Sequence, residues 1–122
     1  MIDHVILNVK DVQASKRFYE KALAPLGYAV VMEFPEGVGF GLQGKPVFWI
    51  AQRGRAHTEV HVAFGCTERS HVRAFHDAAL GAGGTDNGPP GVRENYHPHY
   101  YGAFVLDPDG NNIEAVCHLP QE

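Results

Sequence analysis

Long apolar runs are missing from this chain: none approaches the ~20 residues that a bilayer-spanning helix needs. The N-terminus also lacks the basic and apolar regions of a signal peptide, so the sequence predicts a cytosolic protein. Excess positive charge is missing too. Lys and Arg number 10 against 14 Asp and Glu, the formal net charge is −4, and no basic cluster occurs. That balance argues against nucleic acid or an anionic membrane surface as a partner and leaves small molecules. Cysteine is scarce, with Cys66 and Cys117 alone and no C-x-x-C spacing. Both fall on the apolar registers of strand-like runs, which favours core packing over ligation or a disulfide.

Histidine is the compositional outlier, at eight residues, and it directs attention to metal and proton chemistry. Two of the eight belong to a repeat. When His4 is placed over His61, Val5 falls on Val62, Leu7 on Phe64, Asp11 on Glu68, Phe18 on Phe75, Leu23 on Leu80 and Gly27 on Gly84. Matches at one fixed offset through a strand-like and a helix-like segment indicate an internal duplication. Strand alternation then separates the two sides of each copy. Val5, Leu7 and Val9, like Val60, Val62, Phe64 and Cys66, suit packing under a helix. His4, Ile6 and Asn8, like His61, Ala63 and Gly65, suit lining a cavity.

Each copy reads as strand, helix and three further strands. Asp11 is a plausible N-cap for a helix to about Leu26, closed by Gly27. Extended runs follow at 28–34, 38–42 and 46–52, and residues 53–58 bridge to the second copy. There Thr67 is the expected cap of a helix from Glu68 to about Leu80. The proline- and glycine-rich stretch 84–94 has weak strand character. A hairpin runs from Tyr100 to Leu106, through Asp107-Pro108-Asp109-Gly110, to Asn112–His118. In its last strand Glu114 shares a side with Asn112, Val116 and His118, among apolar neighbours where a carboxylate needs a partner.

HVILNV with its helix, HVAF, and DPDGNNIEAV together resemble the signatures of the vicinal oxygen chelate superfamily, which includes glyoxalases, extradiol dioxygenases and bleomycin-resistance proteins. The resemblance covers essentially the whole chain, 1–122, as a single glyoxalase-like domain: module one at about 1–53 and module two at about 58–120. It implies an α+β fold in which two βαβββ modules form a curved mixed sheet around a cavity. It also implies that His4, His61 and Glu114 bind a divalent metal. Two imidazoles and one carboxylate suit Fe(II), and Mn, Zn, Co or Ni are also accepted by such a set. Aligning Gly44–Phe48 with Gly110–Glu114 places Phe48 where glyoxalase I resemblance requires a fourth, carboxylate ligand, which speaks against that activity.

The segment Tyr96–Tyr101 supplies candidate proton-transfer groups in His97, His99 and Tyr100. Arg93 is a candidate for holding a carboxylate or phosphate, and Phe48, Tyr101 and Phe104 are the expected substrate-side surfaces. Trp49 is expected on the core or at a subunit contact, and His71 and His76 in ordinary helix packing or solvent. The functional expectation is a metal-dependent enzyme, of lyase/isomerase or dioxygenase type, acting on a small oxygen-chelating substrate. The alternative is a non-catalytic, drug-sequestering protein resembling bleomycin-resistance proteins. Family resemblance also implies a homodimer, with the site either inside one chain or shared by two.

Overall fold

The computed structural model describes residues 1–120, arranged as two four-stranded sheets that each carry a helix. In module one, β1 (Val5–Asn8) leads to α1 (Val12–Leu23), then to β2 (Ala29–Phe34), β3 (Gly37–Leu42) and β4 (Lys45–Ala51). In module two, β5 (His61–Cys66) leads to α2 (Arg69–Gly81), β6 (Thr85–Val92), β7 (Tyr101–Leu106) and β8 (Asn112–Cys117). The sheet orders are β1-β4-β3-β2 and β5-β8-β7-β6, with the first pair of each parallel and the rest antiparallel. The duplication seen in the sequence is therefore a duplication of topology.

Local chemistry explains the element ends. Asp11 caps α1 by accepting from the backbone N–H groups of Gln13 and Ala14 at 3.1 Å, which satisfies two of the free donors of the first turn. The α-helix stops at Leu23, short of the expected Leu26, because Pro25 lies in the next turn, which tightens to a 3-10 helix over Ala24–Leu26. Gly27 closes it at φ 88°. The second helix corrects an expectation. Because β5 extends through Cys66, the capping position falls on Glu68 rather than Thr67, and no side chain caps it. Within the stretch 84–94, Thr85–Val92 forms a true strand, but at the sheet edge and with two register shifts, which is where Pro89 and Pro90 can be tolerated.

The helix-bearing sides of both sheets meet in one core. Leu7, Phe18, Tyr19, Phe40, Phe48 and Ile50 of module one pack in the same cluster as Phe64, Phe75, Val105 and Ile113 of module two. Phe64 meets Tyr28 and Phe48 edge to face, with ring centroids 5.3 Å apart in both cases. Polar contacts cross the same boundary. The buried Tyr19 hydroxyl donates to Asp107, and the Lys10 N–H donates to Asp109 at 3.2 Å. The bridge is pinned through His57, which exchanges two hydrogen bonds with Asn8 at 2.8 and 2.9 Å.

At Gly84 the modules pack too tightly for a side chain. A Cβ placed there would lie 2.5 Å from Val105 Cγ1 and 2.8 Å from Phe18 Cε1. Both neighbours are fixed core side chains, so we expect Gly84→Ala to destabilise the fold by ~1–3 kcal/mol through overpacking. A urea melt reads this directly, and an unchanged midpoint would show that the interface relaxes freely.

Candidate functional site

With the helix sides joined, the opposite face of each sheet is open. On module one that face carries a cavity of about 580 Å³, with His4, Ile6, Phe34, Trp49 and Arg53 in its wall. His4 Nδ1 lies 2.8 Å from Asp3 Oδ1, and Asp3 in turn accepts from Lys45 Nζ at 3.1 Å. These two contacts, the histidine's first, hold the Asp3 carboxyl below the usual carboxylate range.

On module two the open face is built around Glu114. Its carboxylate is 1% exposed. His61 Nε2 lies 2.7 Å from Oε1, and the Tyr100 hydroxyl donates to Oε2. Burial, then the Glu114 carboxylate, pushes the Tyr100 hydroxyl far above the ordinary tyrosine value, so it remains a proton donor at neutral pH. Phe104 stands opposite Glu114 in the ladder, with its ring centroid 6.0 Å from that of His61. The Arg93 guanidinium lies 5.5 Å from the Phe104 ring and donates to the Pro89 carbonyl at 2.7 Å. Gly102 makes room for this cluster, since a Cβ there would come within 3.2 Å of both Glu114 Oε2 and Tyr100 Cε1.

The Tyr96–Tyr101 segment divides. Tyr100 reaches Glu114. His97 packs against the Tyr100 ring and places Nε2 2.8 Å from Nδ1 of His118. His99 is exposed, and only its backbone N–H turns inward, to His97. Tyr101 lies on the other side of the sheet, where the guanidinium of Arg69 sits 4.9 Å from its ring, so it packs against α2 and not in the open face. His118 is an addition to the expected set. Its place on the Glu114 register of the last strand was the available signal.

Phe48 and Trp49 exchange the places expected for them. Phe48 is 2% exposed and packs on Tyr19, Phe40 and Phe64 in the core, while Trp49 lines the open cavity. The ladders give the reason. Ile6 pairs with Trp49 and Ala63 pairs with Glu114, so Trp49 is the structural counterpart of Glu114. The hairpin between β3 and β4 turns tightly through Gln43 and Gly44, both at positive φ (52° and 78°). The β3–β4 register then slips between Phe40 and Gly41. Counting from the turn glycine therefore ends one residue short. Neither aromatic side chain can replace a carboxylate ligand.

The three expected metal ligands do not share one face of one chain. His61 and Glu114 are together on module two and His4 is on module one, and among the described residues no three His, Cys, Asp or Glu side chains converge as a metal-holding group.

The profile of the Glyoxalase/Bleomycin resistance protein/Dioxygenase superfamily matches residues 1–115. The chain belongs to that superfamily. Among solved structures, a glyoxalase/bleomycin resistance protein from Albidiferax ferrireducens T118 is 30% identical, with a TM-score of 0.84 over 94% of this chain and 97% of the other. A glyoxalase-related enzyme from Fulvimarina pelagi is 24% identical, with a TM-score of 0.72 over 96% and 87%. Lactoylglutathione lyase from Agrobacterium tumefaciens is 18% identical, with a TM-score of 0.69 over 95% and 92%. The last two likenesses show the superfamily fold alone. No curated protein matches the chain. Among the described residues no helix is long and apolar enough to cross a membrane.

Proposed function

We propose that this superfamily member is a metal-dependent enzyme acting on a small oxygen-chelating substrate, with each site completed by a second copy of the chain. The observation that carries the proposal is Glu114: a carboxylate 1% exposed on an otherwise open sheet face, aligned by Tyr100 and touching His61. Burying a carboxylate is costly unless its partners recover the loss. A pair of donors with a hydrogen-bonded support behind them is the arrangement of a ligand set. His4 is the third donor, immediately before the edge strand β1, as His61 opens the edge strand β5. Apposing the open face of one copy with that of another gives the residues a way to meet.

His4, His61 and Glu114 would hold a divalent metal, which would supply charge stabilisation to an oxygen of the substrate. The remaining work belongs to the chain. Tyr100 fixes the Glu114 carboxylate and keeps its own proton. His97 and His118 share a hydrogen between Nε2 and Nδ1 beside the Tyr100 ring, and imidazole is the side chain suited to passing protons near neutral pH. Phe104 and Ile6 provide apolar walls that limit water. The lyase/isomerase and dioxygenase branches both fit this framework. Glyoxalase I activity is disfavoured by Trp49 at the counterpart of Glu114.

The test is elemental analysis of protein purified without chelators, beside Glu114→Ala. About one transition metal per chain, lost in the variant, supports the proposal. No metal, and no uptake of Fe(II), Mn(II), Zn(II) or Ni(II), overturns it. The aromatic cavity on module one favours a second reading, ligand sequestration without catalysis. Equal ligand binding with and without metal would support that reading instead.

A further inference from the structure

The module-one cavity has a chemistry that the ligand set does not explain. Phe34 and Trp49 lie nearly parallel, with an interplanar angle of 13° and centroids 6.2 Å apart. At that separation the rings are offset and extend a flat apolar surface. The indole rests on the sheet because position 39 is glycine, where a Cβ would fall 2.9 Å from Trp49 Cε2 and Cζ2. Phe34 is 55% exposed and Ile6 39% exposed, so this surface stands open among the described residues.

The charged groups around it are unequal in their freedom. Lys45, Asp3 and His4 form one hydrogen-bonded chain and largely satisfy one another. Arg53 and Glu36 also line the cavity, and among the described residues neither makes an ion pair. Of the two, Arg53 presents the planar fork that matches a carboxylate in two hydrogen bonds and stacks on ring systems. Glu36 then acts against a ligand with more than one negative group. A volume of about 580 Å³ lies within the usual range for a small-molecule pocket.

We propose that this face recognises the body of the substrate, and that the substrate is a planar conjugated or aromatic compound bearing a single acid group. The ring system lies on Trp49 and Phe34 and the acid group meets Arg53. Trp49 thus occupies the counterpart of a ligand carboxylate and supplies recognition in its place. The inference deepens the proposed function by naming a substrate class. It rests on that reading only for the idea that the bound molecule then meets Glu114 and His61 of a second copy. The stacking itself needs module one alone.

Trp49 is the single tryptophan, so its indole N–H gives one resonance that reports this surface without assignment work. The probes are 2-naphthoate, cyclohexanecarboxylate and 2-naphthylmethylammonium, titrated into the intact protein. 2-Naphthoate is expected to shift the indole resonance saturably, and the other two to bind at least about tenfold more weakly. Phe34→Ala and Arg53→Gln should each weaken 2-naphthoate by about tenfold. Equal binding of the alicyclic acid removes the stacking claim. Equal or tighter binding of the ammonium assigns the polar contact to Glu36, and an absent or unsaturable shift overturns the proposal. The same titration on the wild-type protein separates the two ideas: saturable naphthoate binding by wild-type chains that take up no Fe(II), Mn(II), Zn(II) or Ni(II) leaves this inference standing and sinks only the metal enzyme.

Discussion

An equimolar mixture of His4→Ala and Glu114→Ala chains, denatured and refolded together, should recover about a quarter of the wild-type metal content, while each variant alone holds almost none. If the subunits pair at random, about half of the dimers contain one chain of each kind. In such a dimer one site lacks both His4 and Glu114, and the other has His4, His61 and Glu114 intact. Neither variant alone can form an intact site. The expectation comes from the placement of the residues: the two helix-side faces share one core, and among the described residues His4, His61 and Glu114 do not converge. Metal content read after removal of free ion checks it. Two dimeric variants whose mixture recovers no metal would defeat the shared site, and full retention in His4→Ala would remove His4 from the ligand set.

Asp107→Ala should cost roughly 3 kcal/mol or more and lower Tm on the order of 10 °C. Asp107 is 5% exposed and lies in the turn between β7 and β8. One oxygen accepts from the Asp109 and Asn111 N–H groups at 2.9 and 2.8 Å. The other accepts from the Asn111 side-chain amide at 3.1 Å and from the Tyr19 hydroxyl of module one. Alanine leaves the buried Asn111 N–H and Tyr19 hydroxyl without this acceptor, a larger loss than the contacts themselves. Tyr19→Phe should cost less, because the carboxylate keeps its amide partners. Burial, then Asp107, raises the Tyr19 hydroxyl well above its ordinary range. A raised value favours the neutral phenol in the fold, so that contribution is present below about pH 10 and fades as pH rises beyond it. Thermal melts of both variants test the order, and equal melting temperatures for wild type and Asp107→Ala would show that the turn does not hold the modules together.

The repeat and the strand alternation were enough to recover the topology, because both depend on residues i and i+2 and on a constant offset. The meeting of His61 and Glu114 on one face was legible for the same reason: each lies on the side of its strand opposite the core. Phe48 and Trp49 were not, since a register slip has no signature in hydrophobicity when both neighbours are aromatic. Tyr101 was misplaced for a related cause. Tyr100 precedes β7, so it can turn toward Glu114 while the next residue obeys the strand and faces α2. The separation of His4 from Glu114 was beyond sequence, because either pairing of the modules satisfies the same patterns.

The slip between Phe40 and Gly41 acts as a frame shift in space. Strand alternation is binary, so one residue more or fewer before position 48 decides whether Phe48 or the indole of Trp49 enters the open face. No ligand residue need mutate for the composition of that wall to change. Insertion or deletion of a single amino acid in β4 redraws it, and the core on the other face must accept whichever side chain is displaced. A duplicated module can thus diverge from its twin by changing phase, with one copy holding a buried carboxylate at this position and the other turning an aromatic surface to its own open face.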